Sequence, residues 1–548
     1  MNPGPSRGAI GSFVLIAGGA LLALFGVLSD PLRGLPLDVG MSQCRIGFLG
    51  ALCLVEGWLR FRGRSSPALW SALTSEGRTG VLLTYGIAIT LCGIFLHLFR
   101  AYAADDSFIT YRFAKNLAHG AGVVWNPGEP PVEGYSNFLW LLLSAGAIRL
   151  GLDPLAVTRA VAILCYGGCL VAVRALALRA GGSVRHANLP VLLFAAVPAF
   201  AYWAVSGLET LSVVLLALLY LLMLDRESDA RALPWRSALT ADLLLMSRPD
   251  TPLLIVLAVL PMLWPLDRER RAWLGRLVLL ALPLAALYLG WKWFTFDRLF
   301  ANTVTAKFHV MAGLTLLIGF FGYAFPLFAT LVASLTRGAR LLERQVLLVA
   351  AGLLLALLNV VTPVGHYYRF FLPLLAPMLA TVALAADRWE AAVGPERRRV
   401  TAALFLLAVL YAINPLYLMV DYANSEARGL ARAHVEVAKL LQRNFTPDRL
   451  LAASDCGVIP YLSEMRTIDI WGLTDRTIAE RGFDAGYVMR AEPDALVLHS
   501  LHPGVFQGRH AYDRELHEVV AGNPAYHLAG EWEFFGYWLW VYSKKPLR

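Results

Sequence analysis

The chain has 548 residues, a formal net charge of +9 and a mean hydropathy of +0.57, with 57% hydrophobic and 16% charged residues. Soluble globular chains are about 45–50% apolar and about 25% charged, so a soluble single-core protein is excluded. The excess positive charge is mostly arginine in short loops, which points to membrane orientation and away from nucleic acid as a partner.

Arg7 is the only basic residue ahead of an apolar run at about 9–28. No clear small-residue cleavage site ends that run, so it predicts an uncleaved first span rather than a signal peptide. Crossing about 30 Å of hydrocarbon takes around 20 apolar residues. Further candidates fall near 46–60, 80–98, 155–173, 188–204, 207–224, 237–249, 251–265, 277–292, 311–335, 345–362, 370–386 and 400–419. The expected fold class is therefore a polytopic α-helical membrane protein of about thirteen transmembrane helices. The pair at 237–249 and 251–265 is short and broken by Arg248-Pro249-Asp250. Five of the six cysteines lie in or beside apolar spans and Cys456 stands alone, so neither a disulfide framework nor a cysteine zinc site follows.

With the N-terminus cytoplasmic, the arginine clusters at 60–78, 174–185, 226–236, 268–276, 337–344 and 388–399 all face the cytoplasm. This parity requires that 138–148 not span. The segment is too short to do so, and Trp140 suits an interface, so it reads as a re-entrant or surface-lying helix. The outer face then receives 105–137, 206–210, 248–250, 291–309, 362–369 and everything after about 420. Two regions result: a transmembrane domain, 1–420, with a first outer loop at 100–150, and an extracytoplasmic α/β domain, 421–548. In the latter a helix is expected at 425–442, with β-like runs at 450–453, 467–470 and 495–498 and a closing hairpin within 532–542. No inverted repeat of the transporter kind is evident.

Asp105 and Asp106 follow an apolar span directly and open a polar, glycine-punctuated loop. A hydroxyl nucleophile needs a carboxylate within hydrogen-bond reach as its proton leaves, so Asp105 reads as a general base. Asp106 would orient the nucleophile or coordinate a cation. The plain alternative is a helix cap, with Asp106 opening a helix at 107–119. On that helix Arg112, Lys115 and Asn116 share a face. They suit an anionic head group, or else snorkel toward lipid phosphates. The runs His119-Gly-Ala-Gly122 and Trp125-Asn-Pro-Gly128 are turn chemistry. Glu133, Tyr135 and Asn137 suit sugar hydroxyls. Lys307 and His309, and the run His366-Tyr367-Tyr368-Arg369, bring cations to the outer ends of later spans, where a lipid phosphate would bind. Glu209 and Asp250 are weaker candidates that could cap helices or pair with arginines. Trp471, in Ile468-Asp-Ile-Trp-Gly-Leu-Thr-Asp475, could stack on a sugar face or be structural.

The run DDSFITYRFAKNLAHGAGVVWNPGEPPVEGYSNFLW resembles the first extracytoplasmic loop of bacterial GT-C membrane glycosyltransferases. The spaced SGLET, RPD, NTVTAKF, HYYRFFLP and IDIWGLTD segments are similar to those of the subgroup that includes the terminal arabinofuranosyltransferase of mycobacterial cell walls. The resemblance implies a polyprenyl-phosphate sugar donor used on the outer leaflet, Asp105 as catalytic base, eleven to thirteen spans and a C-terminal extracytoplasmic domain. It departs at Gly365-His366, where an acidic residue of the arabinofuranosyltransferases is missing, so the donor need not be arabinofuranose.

These readings converge on a glycosyltransferase of the bacterial inner membrane that acts on a glycan or glycolipid acceptor among membrane lipids. Arg112, Lys307, His366 and Arg369 are the expected phosphate ligands. Asn116, Glu133, Tyr135, Asn137, Tyr368 and Trp471 are the expected sugar or acceptor contacts. No cofactor is required, and a divalent cation at Asp105 and Asp106 stays open. The rivals are a transporter or flippase of lipid-linked sugars, a non-catalytic envelope assembly protein, and a protein-glycosylating transferase of the same superfamily. A transporter predicts ionisable residues in mid-span rather than at outer ends.

Overall fold

The computed structural model describes residues 68–228, 232–263, 267–299, 301–302, 346–347, 349–350, 369–393 and 398–547. The expected spans at 9–28, 46–60, 311–335 and most of 345–362 lie outside these residues, as do Lys307, His309, His366 and Tyr368.

Along the chain come α1 (Arg78–Phe99), the short α2 (Asp105–Ala118) and α3 (Phe138–Arg149), then α4 (Pro154–Arg179), α5 (Thr210–Arg226) and α6 (Arg268–Phe296). Among the described residues five helices are long and apolar enough to cross a bilayer: α1, α4, α6, Arg369–Ala392 and Val400–Asn444. Leu82, Leu164, Leu287, Phe294 and Leu407 stand largely exposed on them. An outer surface of leucine and phenylalanine on helices that satisfy their own backbone suits hydrocarbon, not water.

The expected span at 188–204 is corrected. It forms two eight-residue helices, Leu189–Ala196 and Pro198–Val205, because Pro198 lacks the N–H that a continuous helix would use. Both are buried along their length and pack against α1 and α4. The short pair that follows breaks where the sequence suggests, at Arg248, whose backbone is extended ahead of Pro249. Helix α3 has 12 residues, a length of about 18 Å. It docks on α2 and α4.

The Val400–Asn444 rod has 45 residues and turns at Asn414-Pro415, between a helix ending at Ile413 and one starting at Leu416. Its first half is apolar. From Asp421 onward it turns polar, while Ala423 still packs in the core of the bundle. This second half comprises the end of α7 (Leu416–Gly429), a π-turn (Leu430–His434) and α8 (Val435–Asn444). It covers the helix expected at 425–442.

A five-stranded sheet follows: β1 (Leu450–Ala453), β2 (Arg466–Asp469), β3 (Ala495–Ser500), β4 (His527–Phe534) and β5 (Tyr537–Ser543), in the order β2-β1-β3-β5-β4. The first three are parallel, and β4 and β5 form the closing antiparallel hairpin. The central strand β3, ALVLHS, is buried on both faces, as its unbroken apolar run requires. Val437 and Leu441 of α8 cover one face of the sheet. Leu516 and Val520 of α10 cover the other, α9 (Val458–Ser463) and α10 (Ala511–Ala521) being two helices of this α/β region.

Candidate active site

Helix α2 begins at Asp105, with Ala104 in the capping position. Both acids thus sit in the first turn, where the helix dipole favours negative charge, and Asp106 is not the cap of a helix at 107. The Asp105 carboxylate reaches out of the loop to the sheet region. It accepts from the Gly457 N–H at 3.1 Å and the Val458 N–H at 2.8 Å, at the start of α9. Position 457 has to be glycine: a Cβ there would lie 2.3 Å from Asp105 Oδ2. Burial pushes the Asp105 carboxyl up to about 6, with Asp455 and Asp106 adding to the rise and His434 and the Val458 N–H opposing it. A carboxylate poised there is ionised at neutral pH and still basic enough to take a proton.

A second layer of titratable groups lies behind Asp105. Asp455 Oδ2 receives His434 Nε2 at 2.6 Å and the Tyr537 hydroxyl at 2.8 Å, and His499 Nε2 lies 2.9 Å away. Burial acts to raise the Asp455 carboxyl, but the two imidazoles outweigh it and hold it well below the ordinary range. Glu426, on the polar half of the rod, is pushed up to about 8 by burial and by the charges of Asp105 and Asp106. Its Oε2 is buried with no hydrogen-bond partner. None of these groups was expected from sequence. The pairing of an acid and a histidine eight residues apart on one polar helix, and the isolated Asp455-Cys-Gly run, were the only local signals.

Toward the helix bundle the acids connect to Arg369 through three buried residues. Thr110, one turn beyond Asp106, donates to Asn137 Oδ1 at 2.9 Å, and Asn137 Nδ2 donates to Glu209 Oε2 at 2.8 Å. Arg369 Nη2 donates to Glu209 Oε1 at 2.5 Å and its Nε to Thr210 at 3.1 Å. Arg248 sits beside them, paired in two hydrogen bonds with Asp250, and its Nη1 is buried without a partner. Four residues of helix rise only about 6 Å, so the acid pair and these two arginines share one end of the bundle.

Arg112 is not available for a phosphate, contrary to the sequence expectation. Its guanidinium is buried over the Trp125 ring and donates to the Trp125, Pro460 and Met465 carbonyls and to Asn126 Oδ1. It fastens α2 to the sheet region. Asn116 is likewise turned inward: its amide donates to the Val124 and Trp125 carbonyls and closes the turn. Lys115 pairs with Glu464. Trp125 and Asn126 add hydrogen bonds to Thr467, and Gly134 packs against Leu473 and Thr474. The first loop is therefore clamped between the bundle and the sheet region, a docking with no pattern in the sequence to announce it.

Glu133 and Tyr135 fall in a second buried pocket of polar atoms. Glu133 Oε1 pairs with Lys292 Nζ at 3.0 Å, and the Glu133 carbonyl accepts from the Asn302 N–H at 3.0 Å. Among the described residues, none partners the buried Glu133 Oε2, Tyr135 hydroxyl or Asn302 Nδ2. Burial pushes Glu133 up to about 7 against the opposing Lys292 charge. Trp471 is half-buried, its ring edge-on to His510 at 5.3 Å.

His499, His510 and Asp513 place three potential metal-ligand atoms within 4.8 Å of one another. The fit is poor. One His510 nitrogen already accepts the Asp513 N–H in a capping box, so the other must carry the proton that a metal would displace. Asp513 meanwhile takes hydrogen bonds from Ser454, the His499 N–H and the His510 N–H.

The bundle of apolar helices followed by an α/β region has the fold of solved membrane-protein structures. The fold of this chain matches ArnT from Cupriavidus metallidurans bound to undecaprenyl phosphate with a TM-score of 0.57 at 13% identity, over 85% of this chain and 98% of that one. The apo state of the same protein matches at 0.55 and 14%, with the same coverage. Arabinofuranosyltransferase AftD from Mycobacteria matches at 0.49 and 16%, over 84% of this chain and 41% of that one. A domain of unknown function, DUF8728, matches residues 422–542, nearly all of the polar rod end and the sheet. No curated protein matches the sequence.

Proposed function

We propose that this protein is a glycosyltransferase that moves a sugar from a polyprenyl-phosphate donor to a hydroxyl of a glycan or glycolipid at the outer face of a bacterial inner membrane. One observation carries the reading: a half-buried carboxylate, Asp105, clamped by backbone N–H groups and poised near 6, heads the first-loop helix of a GT-C fold. The fold's likeness to ArnT, bound to undecaprenyl phosphate, supports the donor class.

In a single inverting displacement the acceptor oxygen bonds to the anomeric carbon as the bond from that carbon to the phosphate oxygen breaks. Asp105 takes the hydroxyl proton, and polyprenyl phosphate leaves with one more negative charge. Arg369, Arg248 and Arg159 are among the described cations on the same end of the bundle. Lys307 and His366 complete the proposed phosphate set, and a divalent ion at Asp105 and Asp106 is not required by this scheme. The unpartnered Glu133, Tyr135 and Asn302 atoms supply an acceptor, a hydroxyl and a donor for sugar hydroxyls, with Asn137, Tyr368 and Trp471 as the other sugar or acceptor contacts. The N-terminus is cytoplasmic and residues 421–548 lie outside.

The test uses the purified protein in lipid nanodiscs with a panel of radiolabelled polyprenyl-phosphate pentoses and hexoses. Label should pass to added envelope glycolipid. Asp105→Asn should lower kcat by about 10²- to 10⁴-fold with an unchanged Tm and unchanged donor binding. Full activity of this variant removes the assigned base. With the protein in sealed proteoliposomes, label that crosses the membrane without changing carrier points to the flippase, and label that passes to peptide points to a protein glycosylase.

A further inference from the structure

The proposed base is held by residues of the sheet region, and the turn that holds it also carries Asp455. Between Asp455 and Val458 the chain makes one tight passage from β1 into α9. At its start Asp455 gathers His434, Tyr537 and His499 around a single oxygen, and two residues later Gly457 and Val458 present their N–H groups to Asp105. His434 is fully buried and lies at the end of the π-turn, a local widening of the helix that sets where its imidazole points. Its Nε2 is bound to Asp455, and its Nδ1 has no hydrogen-bond partner.

We propose that His434, fixed by Asp455, is a positioning residue whose positive charge keeps Asp105 in its anionic, backbone-clamped form, so that residues 421–548 form a working part of the reaction centre. The inference rests on the assignment of Asp105 as base. The charged groups around Asp105 are Asp106 on its own helix, Glu426 and His434 on the rod, and Asp455 after β1. His499 on β3 and Tyr537 on β5 stand behind Asp455. Every one of these except the histidines is acidic or neutral. Burial lowers the affinity of His434 for its proton, but Asp455, Asp105 and Glu426 outweigh this, so the imidazole holds its proton more tightly than a free one. Without that cation, a carboxylate flanked by three other acids would bind a proton at neutral pH and lose its function as a base.

The prediction has two readouts. The first is the pH dependence of kcat in the full-length protein. The second needs no turnover: the rate at which dicyclohexylcarbodiimide, which attacks protonated buried carboxyls, modifies Asp105, followed by peptide mass spectrometry across pH. In the unaltered protein Asp105 labelling should fall as pH rises through about 6. In His434→Gln the midpoint should move up by about one pH unit or more, and the acidic limb of the rate profile should move with it. Asp455→Asn removes both the anchor of His434 and an acid that itself raises Asp105, so its midpoint should move less than that of His434→Gln. His434→Lys should return both midpoints toward their starting values. A labelling midpoint unmoved in His434→Gln overturns the proposal, as does a uniform loss of rate at every pH with no shift. If no sugar is transferred by the unaltered protein, the glycosyltransferase reading fails by itself, and the labelling curves still decide whether His434 governs Asp105.

Discussion

Asp105 is where residue chemistry and fold meet. Sequence alone placed two carboxylates after a span but left open which is the base. The structure separates them by partner: Asp105 is the one whose two oxygens each receive a backbone N–H of the sheet region. Its elevated proton affinity sets the sign of the pH dependence. The carboxylate is the active form, so kcat should rise through a limb near 6 and level off above it, measured as initial rates between pH 4.5 and 8. A flat profile there would contradict a carboxylate base. Gly457→Ala offers a geometric test at the same place. The added methyl would lie 2.2 Å from the Asp105 carbonyl oxygen and 2.3 Å from its carboxylate, so the acid and the start of α2 must both shift. A displacement of about 1 Å at a reacting group costs about 100-fold in rate. Expression and Tm should change far less than kcat does. The sequence motif was legible here because paired acids after an apolar run are rare in lipid-facing chains. The glycine requirement was not, since its cause sits 352 positions away.

At the scale of elements, α2 was foreseen as a helix but given the wrong duties. Arg112 and Asn116 lie on the face expected to meet a phosphate or a sugar, and that face is covered by protein. Helical spacing specifies which residues share a face, but not what the face meets. Arg112→Ala should therefore cost stability rather than donor affinity. It strands the Pro460 and Met465 carbonyls and Asn126 inside the protein, and a loss of about 3 kcal/mol or more is expected. The measure is unfolding in urea, alongside limited proteolysis of 119–137, which should become faster. Arg112→Lys should recover little, because an ammonium cannot reproduce the planar fork. A variant with native stability and weakened donor binding would restore the original assignment. The 188–204 segment carries a similar lesson. Its composition is that of a span, yet Pro198 splits it and its neighbours bury it.

For the whole molecule, the positive-inside pattern and the long rod make one prediction together. If residues 421–548 stand outside, a cysteine introduced at the exposed position Glu492 should react with a membrane-impermeant maleimide in intact spheroplasts. One introduced at Arg226, on the opposite end of α5 from Glu209, should react only after lysis. The reverse pattern would turn the acid pair toward the cytosol and end the donor assignment. The same scale explains why the sheet region is more than an appendage. It contributes both N–H groups on Asp105, four of the contacts on the Trp125–Glu129 turn, and the His434–Asp455 pair.

Composition and periodicity determined the membrane class, the α/β character of the tail and the position of the acid pair. These follow from transfer free energies and from spacing along one chain, and both are local properties. Tertiary structure decided that sheet-region N–H groups hold Asp105, that Arg112 is a strut, that Arg369 pairs with Glu209, and that the tail packs on the first loop. Those depend on groups hundreds of residues apart meeting in a low-dielectric space, where a buried charge must find a partner, and nothing in a linear pattern records which partner it finds.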